Sequence, residues 1–196
     1  GGFNALNLAA VYGIAMLLGE EELQVVTALS NLQSVEGRFQ YFRSDNGVTA
    51  IVDYAHTPDA LKNVLETIAK IRTGAETVIT VVGCGGNRDA TKRPEMANIA
   101  TQLSDQVILT SDNPRNEDPE TIIQDMEAGV EMHLRHKYLS ITNRKEAIRA
   151  AARLAKKDDI VLIAGKGHEK YQDVKGEKLP FDDLAIARES LNQIPS

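Results

Sequence analysis

Thr77–Arg93 reads TVITVVGCGGNRDATKR: a strand-like apolar run, Thr77–Val82, breaks at Gly83-Cys84-Gly85-Gly86, and a helix-compatible stretch begins near Thr91. In α/β domains the carboxyl end of a parallel strand, followed by a glycine loop, is where a ligand meets backbone amides and a helix N-terminus. Three further strand-like runs also end in polar residues. Ile51-Val52 leads into Asp53-Tyr54-Ala55-His56, Ile108-Leu109 into Asp112-Asn113-Pro114-Arg115, and Leu162-Ile163 into Gly165-Lys166-Gly167-His168-Glu169. If these strands are parallel neighbours, all four loops share one rim.

Working outward, the flanking sequence repeats strand then helix. Thr57 caps a helix with Pro58 at its first position, running to about Ile71. A helix at about Pro94–Leu103 follows the glycine loop, and Gln106–Thr110 precedes Asp118-Pro119-Glu120, a second proline cap opening a helix to about Met132. Lys137–Ile141 precedes a helix over Asn143–Lys156, and Ile160–Ala164 precedes the GKGHE loop. Short, nearly continuous apolar strands are expected when helices cover both faces of a sheet. Phe39–Arg43 and Val48–Asp53 flank Ser44-Asp45-Asn46-Gly47, a hairpin signal that makes the first strand an antiparallel edge. A second small hairpin is expected about Lys175-Gly176 within Tyr171–Phe181, with Asp182–Leu191 as the closing helix. The reading is a Rossmann-like α/β fold: a mostly parallel sheet of about six strands, one antiparallel edge strand, and helices on both faces.

The amino-terminal residues have a different texture. Ala5–Leu18 and Glu20–Leu32 read as two helices separated by Gly19, the first apolar along most of its length. Such a helix packs against something larger. With no initiator Met before Gly1-Gly2-Phe3-Asn4, the expectation is a piece of a longer protein, residues 1–33 forming a helical tail and 34–196 the main domain.

With 196 residues and 42% hydrophobic content, the chain can build the core of one α/β domain of ordinary size. A net charge of −6 argues against nucleic acid as a partner. The single cysteine, Cys84, excludes an internal disulfide and fits a reducing, cytoplasmic compartment. The apolar stretch near Leu6–Leu18 is too short and interrupted to span a bilayer, so no membrane is expected.

The glycine loop departs from a dinucleotide fingerprint, which needs G-x-G-x-x-G. Its spacing is Gly83-x-Gly85-x-x-Arg88, with a cation where the third glycine belongs, and no G-x-x-x-x-G-K-[ST] occurs in the chain. Arg88 suits an anionic group; the alternative is a tight turn with a solvated arginine. In Asp112-Asn113-Pro114-Arg115, Asp112 and Asn113 can accept hydrogen bonds from an ammonium, and Arg115 can grip a carboxylate with two parallel bonds. Together they suit a zwitterionic amino acid, although Asp-Asn-Pro is also ordinary turn sequence. Glu169 can hold a second ammonium, while the GKG before it is weak evidence alone. Asp53 can bind a ribose hydroxyl and His56 a phosphate, or Asp53 can simply satisfy nearby backbone. No zinc spacing and no nucleophile paired with a base is evident, so no catalytic residue or metal ligand is assigned.

Taken jointly, these residues resemble the Mur ligases, the ATP-dependent amino-acid ligases of peptidoglycan synthesis. Phe3-Asn4-x-x-Asn7-x-x-Ala10 looks like the last helical region of the family's central ATPase domain. Gly37-Arg38-Phe39, Asp53-Tyr54-Ala55-His56-x-Pro58, Gly83–Asp89, Asp112–Arg115 and Gly165–Glu169 match successive motifs of its C-terminal domain. The resemblance implies the branch that joins meso-diaminopimelate to UDP-MurNAc-L-Ala-D-Glu, with ATP activating the carboxylate as an acyl phosphate. It implies amino-acid contacts from Arg88, Asp112, Asn113, Pro114, Arg115, Gly165 and Glu169, and a nucleotide-facing set of Arg38, Asp53, Tyr54 and His56. ATP and Mg2+ would be bound mainly by the central domain, and a monomer is expected. Without that domain the chain is expected to fold but not to catalyse. Two other readings compete: a dinucleotide-binding module of an oxidoreductase, which the same sheet can support, and a regulatory domain that senses an amino acid.

Overall fold

The computed structural model describes residues 2–30 and 37–192, and the chain divides into two compact units, Gly1–Val35 and Glu36–Ser196. The expected end of the second helix at Leu32, the expected division after residue 33, and the side chains of Phe3, Asn4 and Asn7 lie outside the described residues.

In the first unit, α1 (Gly2–Leu17) and α2 (Glu22–Ser30) are separated by a turn at Gly19, whose φ of +85° is the left-handed conformation that favours glycine. Tyr12 Oη donates to Glu22 Oε1 at 3.0 Å, which ties the two helices together. Leu8, Val11, Ile14, Leu17, Leu23 and Val26 are all exposed.

The second unit holds β1 (Gln40–Arg43), β2 (Thr49–Asp53), α3 (Pro58–Ile71), β3 (Val78–Cys84), α4 (Lys92–Leu103), β4 (Gln106–Ser111), α5 (Pro119–Glu127), β5 (Tyr138–Ser140), α6 (Arg144–Leu154), β6 (Ile160–Ala164), β7 (Tyr171–Val174), β8 (Glu177–Pro180) and α7 (Asp183–Asn192). Six strands form one sheet in the order β1-β2-β6-β3-β4-β5, with β7-β8 as a separate hairpin. Only the β1·β2 pairing of the large sheet is antiparallel. The α/β sheet with one antiparallel edge read from sequence is what forms.

Alternation along the central strands divides the core into two layers. Val78, Val82, Leu162, Val107 and Leu109 meet Leu61, Leu65, Met96, Ala100 and Ile122 of α3, α4 and α5 on one face. Ile79, Val81, Ile108, Val161 and Ile163 meet Ala147, Ile148, Ala151 and Ala187 of α6 and α7 on the other. Both faces are covered, which is why the strands carry no polar stripe.

The caps follow the sequence. Thr57 accepts from Ala60 N, Asp118 from Glu120 N, and Asn143 from Glu146 N, with Pro58 and Pro119 in the first helical positions. One boundary differs: α5 stops at Glu127 instead of continuing to Met132. The backbone tightens to Gly129 N donating to Met126 O, and Gly129 lies so close to Pro94 that an added Cβ would stand 2.0 Å from the Pro94 carbonyl oxygen. A 3-10 turn, Met132–Lys137, fills the remaining distance to β5.

Candidate functional site

Because β2, β6, β3 and β4 are consecutive and parallel, their carboxyl ends form one rim. All four loops singled out from the sequence therefore emerge together. They are also bonded to one another.

The loops after β3 and β4 are joined through backbone. Gly86 N donates to Asn113 O at 2.9 Å, and Arg115 Nη1 donates to Gly86 O at 2.7 Å. Glycine is needed here because a Cβ on Gly83 would approach Thr110 O to 2.4 Å and one on Gly86 would approach Pro114 O to 2.0 Å. Glu117 fixes the far end of the glycine loop by accepting from Asn87 N and from the buried Arg93 guanidinium at 2.7 Å. The Asn87 amide first, and Arg93 second, hold the Glu117 carboxyl below its ordinary range. Arg88 is exposed, its stem passing beside Gly85.

Asp112, Asn113 and Pro114 are buried and Arg115 is partly exposed, with a φ of +51° that turns its side chain out of the strand direction. The β7-β8 hairpin straps this segment. Arg115 N donates to Asp173 O, Lys175 N to Arg115 O, and Asp173 N to Asn113 Oδ1 at 2.9 Å. Gln172 Nε2 donates to Asp112 O.

From β6, Gly165 (φ +121°) and Gly167 (φ +54°) bend the chain so that Lys166 points inward, its side chain 0% exposed. Lys166 Nζ donates to Asp112 Oδ1 at 3.0 Å and to Asn113 Oδ1 at 2.7 Å, and lies 3.5 Å from Glu169 Oε2. Asn113 Nδ2 donates to the same Glu169 oxygen at 2.9 Å. The ammonium-accepting character read for Asp112 and Asn113 is thus already engaged by a lysine of the chain itself. Sequence alone did not single out Lys166, Gln172 or Asp173; the only signal was a lysine between two glycines at a strand end.

The β2 end lies beside this cluster. Gly165 N donates to Asp53 O, and Phe39 N donates to Asp53 Oδ2 at 2.6 Å. Burial raises the Asp53 pKa above the ordinary carboxylate range, against the backbone amides of Phe39 and Ala55 and the charge of exposed Arg38. The Tyr54 ring packs 4.5 Å from the His56 ring and 5.2 Å from that of His168. Its phenol is raised first by burial, then by the negative charges of Glu169 and Asp112, with Arg88 opposing. His56 Nδ1 lies 2.9 Å from Tyr54 O, and Lys92 Nζ donates to His56 O. A Cβ on Gly37 would approach His168 N to 2.1 Å, so Gly37, Tyr54 and the GKGHE loop interlock.

The rim thus brings the guanidinium groups of Arg88 and Arg115 together with the carboxylates of Asp112 and Glu169 and the Tyr54 phenol, donors and acceptors for charged groups of both signs. Among the described residues no group of three or more His, Cys, Asp or Glu is arranged to hold a metal ion. No helix among them is long and apolar enough to cross a membrane. A separate cleft of about 430 Å³ lies where β2 and β6 begin, lined by Arg43, Thr49, Arg72, Glu76, Lys157 and Asp158. None of the candidate site residues read from sequence lines it.

Residues 37–167 match the Mur ligase, glutamate ligase domain family. The chain is 58% identical over 194 residues to UDP-N-acetylmuramoyl-L-alanyl-D-glutamate--2,6-diaminopimelate ligase of Cytophaga hutchinsonii, covering 99% of this chain and 40% of that protein. It is 58% identical over 192 residues to the ligase of the same name from Bacteroides thetaiotaomicron, covering 98% and 40%. A solved structure of a 2,6-diaminopimelate ligase superposes with a TM-score of 0.74 at 43% identity, covering 97% of this chain and 38% of the other. The chain spans about 40% of the length of the curated relatives it matches. These relatives are ligases, which removes support from the oxidoreductase reading. The geometry gives the reason: seven residues separate β3 from α4, so the glycine loop is not the tight strand-to-helix turn of a dinucleotide site.

Proposed function

From the premise that this chain belongs to the Mur ligase family, we propose that it is the amino-acid-binding portion of an ATP-dependent ligase joining meso-diaminopimelate to UDP-MurNAc-L-Ala-D-Glu. ATP supplies the activation of the D-glutamate carboxylate as an acyl phosphate; the amine of diaminopimelate then displaces phosphate and loses a proton as the amide forms. The residues of this chain bind and orient the amine donor. Residues 1–33 are proposed as the helical tail of the central ATPase domain and 34–196 as the C-terminal domain. The protein is proposed to act as a cytoplasmic monomer.

The observation that carries this reading is that three segments far apart in sequence, Gly86, Asn113–Arg115 and Glu169, are linked by hydrogen bonds on one rim. Arg115 has Nη1 on Gly86 O and Nε 3.9 Å from Asp173 Oδ2, so its guanidinium plane is held and Nη2, the nitrogen common to both edges of the fork, is turned to take a carboxylate. Diaminopimelate carries a distal carboxylate that L-lysine lacks. A site built for a polar group rejects the analogue without it, because its own group is left unpaired. Arg88, Asp112, Pro114, Gly165 and Glu169 complete the proposed contacts, and Arg38, Asp53, Tyr54 and His56 face the nucleotide. Mg2+ and most of the ATP are assigned, as the family resemblance implies, to the remainder of the ligase, and the isolated chain is expected not to turn over ATP.

The test is calorimetry with meso-diaminopimelate and with L-lysine on a full-length ligase containing these residues. Heat with the former alone is expected. An equal response to both would overturn the role given to Arg115.

A further inference from the structure

We propose that Lys166 is a positioning residue for amino-acid selection: a built-in ammonium that leaves the acidic side of the pocket with one net negative charge and fixes which oxygens face the ligand. The inference rests on the amino-acid site proposed above and deepens it.

The side chain is wholly buried, a position lysine almost never takes unless paired. Its three protons meet Asp112 Oδ1, Asn113 Oδ1 and, at longer range, Glu169 Oε2, which uses the full donor capacity of an ammonium. The Asn113 orientation follows. Its Oδ1 accepts from both Lys166 Nζ and Asp173 N, so its Nδ2 must be the atom turned to Glu169 Oε2. One oxygen of each carboxylate is thereby committed within the protein, leaving Asp112 Oδ2 and Glu169 Oε1 for another donor.

The charge count decides what that donor can be. Asp112 and Glu169 supply two negative charges and Lys166 one positive, so the cluster matches a single substrate ammonium. Diaminopimelate is neutral overall at pH 7, with two ammonium and two carboxylate groups, whereas L-lysine carries a net positive charge. Removing the Lys166 cation makes the cluster doubly negative. That favours the cationic amino acid over the neutral one, while releasing Asn113 and Glu169 from their fixed geometry. Lys166 therefore works on the same discrimination as Arg115 from the opposite side: Arg115 rewards a carboxylate, and Lys166 prevents the acids from rewarding excess positive charge.

The experiment compares kcat and KM for meso-diaminopimelate and L-lysine in the full-length ligase and its Lys166→Met variant, with urea midpoints as a check on folding. The expected result is a KM for diaminopimelate raised about 10- to 100-fold, the range for losing a charge-assisted hydrogen bond. The kcat should change little, and the diaminopimelate-to-lysine ratio of kcat/KM should fall. The double variant Asp112→Asn with Lys166→Met restores the single net charge, so its ratio should lie below that of Asp112→Asn alone. That second comparison carries the test if Lys166→Met does not fold. A folded variant with an unchanged ratio, or one that loses kcat equally with both amino acids, would overturn the proposal. A parent enzyme that uses both amino acids equally would overturn the site reading and this inference with it.

Discussion

Arg115 Nη1 is anchored on the carbonyl oxygen of Gly86 at 2.7 Å, so the guanidinium after β4 is oriented by the glycine loop after β3. The anchor uses one nitrogen of a planar five-donor fork and leaves the others in a fixed plane for the ligand, an arrangement an ammonium cannot reproduce. In the full-length ligase, Arg115→Lys should therefore raise the KM for diaminopimelate by about 10- to 100-fold and leave any use of L-lysine nearly unchanged. Steady-state kinetics with both amino acids checks this.

Gly86 and Gly85 are adjacent but make different demands. A Cβ on Gly86 would meet the Pro114 carbonyl oxygen at 2.0 Å, a backbone atom fixed by the hairpin strap, whereas one on Gly85 would meet the Arg115 Nη1 tip at 2.9 Å. Gly86→Ala should separate the two loops and destabilise by about 1–3 kcal/mol, the cost of overpacking a rigid site. Gly85→Ala should cost less stability yet disturb amino-acid binding, since only a side-chain end must move. Urea midpoints should thus fall further for Gly86→Ala than for Gly85→Ala, while KM rises in both.

Behind the rim, Arg144 and Asp183 form a bidentate ion pair at 2.9 and 2.7 Å, both side chains fully buried, with Arg144 Nη2 also donating to Ala164 O. Burial works against the arginine's charge, and Asp183 outweighs it, so the guanidinium stays ionised with its pKa raised. Asp183→Ala would leave a buried charge without its partner and should cost about 3–5 kcal/mol. Replacing both, as in Arg144→Met with Asp183→Leu, should cost distinctly less. Chemical denaturation of the two variants distinguishes an ion pair whose worth is its pairing from one that is a net source of stability.

The large sheet was legible because its signals are local: apolar runs of strand length, proline-bearing caps at Thr57 and Asp118, and a turn at Asn46-Gly47. The rim was legible only in outline. Asp112, Asn113, Arg115 and Glu169 carry recognisable chemistry, but Lys166 gives no periodic or spacing signal, and its burial follows from left-handed glycines on either side. Gln172 and Asp173 sit in a hairpin too short to suggest more than a turn, and their importance comes from lying across a loop about 60 residues earlier. The end of α5 was misjudged because the close approach of Gly129 to Pro94 is tertiary and overrides helix-compatible sequence.

Glu76 provides a stability signal with a definite pH sign. Its carboxylate accepts from Thr73 N, Thr73 Oγ1 and Gly74 N at 2.9–3.0 Å, closing the turn that delivers the chain to β3. The Thr73 amide chiefly, then the Glu76 amide and the Thr73 hydroxyl, hold its pKa at about 2, down from 4.5. A carboxyl whose pKa is lower folded than unfolded stabilises the fold above the unfolded value, and that contribution disappears as pH falls through the folded one. The stability difference between the parent chain and Glu76→Gln should be constant from neutral pH to about pH 5, shrink from about 4.5 downward, and level off near pH 2. Urea unfolding of both proteins across that range measures it. A difference independent of pH would mean that the Glu76 charge contributes nothing there.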